Sequence, residues 1–160
     1  MPPTEAQLHN IAISFLSAFK DLSVNNHLSL RAPDCIHIFA PASLNPPAPK
    51  SNEVFAAHIT NNLQPILEHF PVTAKETYVN VSGKQITIWA TGKPEFKPEA
   101  MGLGSKEEWD YTGEYIFILD VNDNGKIARI LEFLDSLATD RLRKLMVRAK
   151  ENVGMTGQAW

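Results

Sequence analysis

From Thr73 to Asp135 this 160-residue chain is patterned mostly for extended strands, and that run limits the fold more than any other feature. Residues 73–82 and 84–91 read as strands flanking a turn at Ser82-Gly83. A connection from Gly92 to Glu108 follows, with three glycines and two prolines, too long for a tight hairpin. Trp109 to Val121 reads as a third long strand. Asn124-Gly125 is a turn signal, and a last strand follows it. Helices frame the run. Thr4 with Gln7 forms a capping box, and Leu8, Ile11, Ala12, Phe15 and Phe19 then recur at helical spacing, which predicts a helix over 4–20. Cys35–Ala40 is a short strand ahead of a rigid loop, Pro41–Pro49, with four prolines. Ser51 caps a second helix, which Pro65 ends or restarts. The segment 137–150 closes the chain as a helix with Leu142, Leu145, Met146 and Ala149 inward and Arg141, Arg143, Lys144 and Arg148 outward. Helices segregated against one curved antiparallel sheet make an α+β fold. Residues 1–153 are expected to form one domain, and 154–160 a flexible tail with Trp160 as its one anchor.

The composition excludes several function classes. A formal charge of -3, with no basic stretch interleaved with aromatics, gives no reason to expect nucleic acid. No apolar run approaches the roughly 18 residues of a membrane span. Met1-Pro2-Pro3-Thr4-Glu5 is not a signal-peptide start, and Cys35 is the only cysteine, so a cytoplasmic location is expected. Asn80-Val81-Ser82 matches the glycosylation pattern and is expected to be silent without secretion.

Chemistry is sought first in the segment Arg129-Ile130-Leu131-Glu132-Phe133-Leu134-Asp135-Ser136-Leu137. Five of its nine residues are apolar, which marks a strand with both faces covered. A carboxylate there must be paired or shift its pKa upward. Strand alternation puts Glu132 on a face with Ile130 and Leu134, and Asp135 with Leu131 and Phe133. Tyr111, Gly113, Tyr115, Phe117 and Leu119 share a face of the preceding strand. Its two phenols lie about 13 Å apart at ~3.4 Å per residue, and such groups donate to developing oxyanions; equally, aromatics simply fill strand cores. His37, between Ile36 and Ile38, is more often a core residue than a catalyst, although its ordinary pKa suits proton transfer. Arg31, before Ala32-Pro33, is either a clamp for an oxygen or a surface cation. Phe39, Trp89, Phe117, Leu134 and Asp135 are the expected substrate contacts.

Asp120-Val121-Asn122-Asp123-Asn124-Gly125 imitates a calcium loop, but Leu131 stands where the pattern requires a glutamate, and strands flank it. Histidines 9, 27, 37, 58 and 69 show no metal-ligand spacing. No phosphate loop or nucleophile elbow is present, and Cys35 has no feature that lowers a thiol pKa. What remains is acid–base chemistry without a metal or cofactor.

The order of elements resembles the nuclear transport factor 2-like fold, a cone-shaped sheet wrapped around helices with a pocket inside. Arg31-Ala32-Pro33-Asp34-Cys35-Ile36-His37 and Ile130-Leu131-Glu132-Phe133-Leu134-Asp135-Ser136 resemble a fungal branch of the SnoaL-like family, over about residues 4–150. That branch includes isomerases of meroterpenoid biosynthesis and a semipinacolase acting on prenylated indole alkaloids. The resemblance implies a cofactor-free enzyme, commonly a homodimer, acting on a small polycyclic natural product. It maps family roles onto Arg31, Tyr111, Tyr115 and Glu132, with His37 and Asp135 also matching the motif. The Gly92–Glu108 connection is longer than that branch usually has. The leading expectation is an isomerase or cyclase. A dehydratase, aldol cyclase or cycloaddition catalyst in the same pocket is the second, and a non-catalytic dimeric binding module the third.

Overall fold

The computed structural model covers residues 1–160. Helix α1 (Glu5–Lys20) begins at the predicted capping box: the Thr4 hydroxyl accepts from the Gln7 N–H, and the Gln7 side chain accepts from the Thr4 N–H. It buries Leu8, Ala12, Phe15, Leu16 and Ala18. A short α2 (Val24–Ser29), capped by Ser23, occupies what reads as a polar connection. Strand β1 (Arg31–Ala40) starts four residues earlier than its apolar core indicates, because its partner strand holds it and a register shift between Arg31 and Ile36 accommodates the Pro33 region. Ser51 caps α3 (Asn52–His58), which runs on into one wide π-helical turn, Ile59–Leu63.

Beyond Pro65 come β2 (Leu67–His69), β3 (Val72–Asn80) and β4 (Gln85–Gly92). The long connection is not structureless: it holds β5 (Glu95–Phe96), which pairs with β2, and α4 (Pro98–Met101). Strands β6 (Gly113–Val121) and β7 (Ile127–Leu134) then lead to α5 (Ser136–Asn152). The main sheet has the order β1-β7-β6-β4-β3, antiparallel throughout except for the parallel β1–β7 pair. The calcium-loop mimic is a hairpin turn in which Asn122 Oδ1 accepts from the N–H groups of Asn124 and Lys126.

Alternation sends Ile86, Ile88 and Ala90, Tyr115, Phe117 and Leu119, and Ile130, Glu132 and Leu134 to the concave face, where they pack with α1 residues. A second cluster joins α3, β2, α4 and α5, and Phe19 and Phe70 touch both. The convex face is open: Phe133 is 46% and Ile116 40% exposed. The expectation that the last strand has both faces covered is therefore corrected. Its continuous apolar run serves one core face and one open face.

Gly92 and Gly113 are register partners on β4 and β6. A β-carbon at Gly92 would lie 2.7 Å from Tyr115 Cε2, and one at Gly113 would fall within the Tyr111 phenol. The pair makes room for both tyrosine rings over the backbone. Gly113→Ala is expected to destabilise the protein by about 1–3 kcal/mol, the usual range for overpacking. Thermal melts with near-ultraviolet circular dichroism check this, and an unchanged melt and tyrosine signal would refute it.

Candidate functional site

The parallel pairing of β1 with β7 sets Phe39 opposite Glu132 and brings His37 and Glu132 together from positions far apart in sequence. Arg31 Nη2 lies 3.3 Å from His37 Nδ1, and His37 Nε2 lies 3.0 Å from Glu132 Oε1. A guanidinium only donates, so Nδ1 must accept and the imidazole proton sits on Nε2, donating to Glu132. His37 is wholly buried, stacked between Phe39 (4.6 Å between ring centroids, 15° between planes) and Phe55 (4.8 Å, 23°). The Arg31 guanidinium lies 3.9 Å from the Phe55 ring centroid.

Burial, with the charges of Arg31 and Lys50, holds the His37 pKa well below its ordinary value, so the ring is neutral. The contact with Glu132 is thus a hydrogen bond, not an ion pair. Burial pushes the Glu132 carboxyl up to about 8, against the opposing pull of Arg31. Near pH 7 this group carries a proton. Oε1 is occupied by His37, and Oε2 has no protein partner.

Glu132 and Tyr115 provide polar groups on the wall of an apolar cavity of about 80 Å³, otherwise formed largely by Phe19, Phe39, Phe55, Phe117 and Leu134. The Tyr115 hydroxyl is 3.5 Å from that of Tyr111. The expected 13 Å separation is corrected: Tyr111 precedes β6, and its ring lies against Gly113 instead of following the strand. Burial raises both phenol pKa values, so both are neutral donors.

Of the residues expected at the site, Glu132, Tyr115, Phe39, Phe117 and Leu134 line the cavity. Arg31 and His37 stand behind Glu132, and Tyr111 behind Tyr115. Trp89 and Asp135 are corrections. Trp89 has the opposite parity to Ile88 and Ala90, and its indole N–H donates to Glu114 at 3.0 Å on the outer face. Asp135 lies past the end of β7, where its carboxylate caps α5 by accepting from the Ala138 N–H.

The lining positions that were not foreseen include His58, Arg143, Ala159 and Trp160. His58 falls three residues after Phe55, and Arg143 three before Met146, so helical spacing places each beside an apolar stripe. Arg143, expected to face outward, lies with its guanidinium 4.2 Å from the Trp160 ring centroid, and Trp160 packs on Phe39 at 5.3 Å. The Gly92–Glu108 connection contributes nothing to the cavity wall. No group of three or more His, Cys, Asp or Glu side chains is arranged to hold a metal ion, and no helix is long and apolar enough to cross a membrane.

No family model matches the chain. It is 28% identical over 144 residues to austinoid biosynthesis cluster protein H of Aspergillus calidoustus, covering 88% of this chain and 90% of that protein. The solved structure of AusH from Aspergillus nidulans superposes with a TM-score of 0.71 at 25% identity, covering 84% of this chain and 88% of that one. The chain has the nuclear transport factor 2-like fold. The same fold occurs in PrhC from Penicillium brasilianum (TM-score 0.77, 19% identity, 94% and 93% covered). It also occurs in the BvnE pinacolase from Penicillium brevicompactum (0.74, 21%, 86% and 89%).

The raised Glu132 pKa makes a stability prediction. Below about pH 4.5 the carboxyl is protonated in both folded and unfolded chains, so the shift has no effect. Between there and about 8 the unfolded chain ionises while the folded one keeps its proton, so stability falls as pH rises, by about 1.4 kcal/mol per pH unit. Glu132→Gln retains an acceptor for His37 and abolishes the titration. Its melting temperature, relative to the unsubstituted protein, is expected to rise as the pH is taken from about 4.5 to about 8. A difference independent of pH would refute the assignment.

Proposed function

We propose that the protein is an isomerase or cyclase that rearranges the carbon skeleton of a polycyclic fungal metabolite, a meroterpenoid or a prenylated indole alkaloid, by acid–base catalysis. The observation that carries this reading is the Glu132 carboxyl, protonated near neutrality, held through one oxygen by a neutral histidine and set in an apolar cavity wall. The likeness to an austinoid-cluster protein supports the substrate class, and the pinacolase that shares the fold supports a carbon shift.

In a semipinacol-type shift Glu132 gives its proton to an oxirane oxygen, and the C–O bond opens with its electron pair. A neighbouring carbon then migrates with its bonding pair from the carbinol carbon to the electron-poor centre. The carbinol O–H becomes a ketone as its proton returns to the Glu132 carboxylate, so the enzyme ends as it began. Tyr115, supported by Tyr111, stabilises charge on the departing oxygen. His37 is a positioning residue that aims the carboxyl, and Arg31 fixes the tautomer that does so. No cofactor enters this sequence. The buried acid and phenol favour a catalyst over a binding module, which would present them to solvent or a partner. The open convex face, with Ile116, Phe133 and the Trp89 ring, suits a homodimer contact, and the reading places the protein in the cytoplasm.

A panel of oxirane- and carbinol-bearing meroterpenoids and indole alkaloids, followed by chromatography and NMR for isomers of unchanged mass, tests the reading. Glu132→Gln is expected to lose about 10²–10⁴ in kcat while staying folded. The unsubstituted rate should fall as pH rises through about 8, where the acid loses its proton. A folded, fully active Gln variant sinks the assignment.

The cavity of about 80 Å³ is smaller than the roughly 300–1,000 Å³ of ligand pockets, so substrate entry requires a wall to move. Ala159 and Trp160 wall the cavity from the C-terminal segment, which lies outside every helix and strand. Trp160→Ala is expected to lower KM for the bulkiest accepted substrate by several-fold. Unchanged KM for bulky and small substrates alike would show that another wall yields.

A further inference from the structure

His58 has no part in the Arg31–His37–Glu132 chain, yet it lines the same cavity from the end of α3. Its surroundings decide what it can do. Lys150 Nζ only donates, and it lies 2.6 Å from Asn62 Oδ1. The Asn62 amide is therefore oriented with its oxygen to the lysine and its NH₂ to His58 Nδ1, 3.0 Å away. An accepting Nδ1 leaves the ring proton on Nε2, which has no partner in the protein. Lys150 is itself anchored by the Gln158 carbonyl at 2.5 Å, in the segment that covers the cavity. The wide turn Ile59–Leu63 sits directly after His58 and carries Asn62 four residues on; such π-type turns are frequent at functional sites.

We infer that His58 is a second hydrogen-bond donor of this site, with a protonated Nε2 that binds an acceptor oxygen of the substrate, a ketone or lactone carbonyl or the oxyanion that forms from it. The inference rests on the proposed acid–base reading and extends it with a contact independent of Glu132. His58 is not a general base, because its one ring lone pair is taken by Asn62. Burial, with the charges of Lys50 and Lys150 and neighbouring His37, lowers its pKa to about 3, so it does not become an imidazolium near neutrality. Arg143 is a further donor on the same cavity wall, its guanidinium 4.2 Å from the Trp160 ring centroid. Asn62 is a positioning residue, acting only through the imidazole.

Asn62→Asp separates tautomer from structure. An aspartate still accepts from Lys150 but can only accept from His58, so it forces the proton to Nδ1 and turns Nε2 into an acceptor. Nitrogen-15 histidine spectra read the tautomer without any ligand: Nε2–H is expected in the unsubstituted protein and Nδ1–H in Asn62→Asp. An Nδ1–H form in the unsubstituted protein overturns the inference. The carbonyl resonance of carbon-13-labelled 1-tetralone, bound as a probe, then reads donation. It is expected to move to higher frequency on binding, to lose that shift in His58→Ala and Asn62→Asp, and to recover part of it in His58→Gln, whose amide N–H reaches the same place. A shift that survives both His58→Ala and Asn62→Asp, or no shift at all in the unsubstituted protein, overturns it.

Turnover in the substrate panel separates this inference from the reading it rests on. Loss of about 10²–10³-fold in kcat is expected for His58→Ala, as for removal of one oxyanion donor. Full activity of His58→Ala beside an inactive Glu132→Gln removes His58 and leaves the acid–base reading in place. Full activity of both removes the two together.

Discussion

A guanidinium cannot accept a hydrogen bond, and the rest of the site follows from that fact. Arg31 forces His37 to carry its proton on Nε2, and Nε2 can then hold only an acceptor, which Glu132 Oε1 supplies. The three groups come from both ends of the chain, and only the parallel β1–β7 pairing unites them. A parallel pair needs a long crossover, and everything from Pro41 to Lys126 serves as that connection here. The helices and the meander are thus the means by which an acid near the end of the sheet reaches a histidine near its beginning.

The site also sets a cost in stability. A carboxyl held at a pKa of about 8 is destabilising at neutral pH relative to a neutral side chain in its place, and a buried arginine with two unpartnered nitrogens adds to that cost. The aromatic rings around the relay offset part of it by packing on the imidazole and guanidinium faces. They also keep water away from the acid, and dry surroundings are what keep its proton in place near neutrality. One arrangement therefore accounts for the acid's retained proton and for its expense. Gly92 and Gly113 extend the arrangement by letting two phenols lie close over the sheet.

Much of the fold was legible along the chain because local rules govern it. The Thr4–Gln7 capping box, the Ser51 cap, the Asn124-Gly125 turn and the inward stripe Leu142, Leu145, Met146 and Ala149 each depend on residues within a few positions of one another. Glu132 was legible for the same reason: an acid in an apolar strand conflicts with its neighbours whatever the tertiary structure. Strand parity also separated Glu132 and Leu134 from Phe133 correctly. Errors arose where a strand ends. Alternation continued to Tyr111 and Asp135 misplaces both, because β6 and β7 do not carry it that far. Trp89 was misplaced although Ile88 and Ala90 on either side mark it as outward.

By itself the sequence determined the helix caps, the strand run, the α+β class and the presence of a buried acid, because periodicity and capping are short-range physics. The tertiary structure alone decided that His37 and Arg31 serve that acid, that Tyr111 meets Tyr115, and that His58 and Trp160 wall the cavity. Apart from the Tyr111–Tyr115 contact, which arises because the chain reaches β6 only at Gly113, those contacts join residues tens of positions apart, and no local pattern encodes the distance between them. The direction of each proton in the two relays is likewise a property of the assembled site, since a histidine's tautomer is set by what its other nitrogen touches.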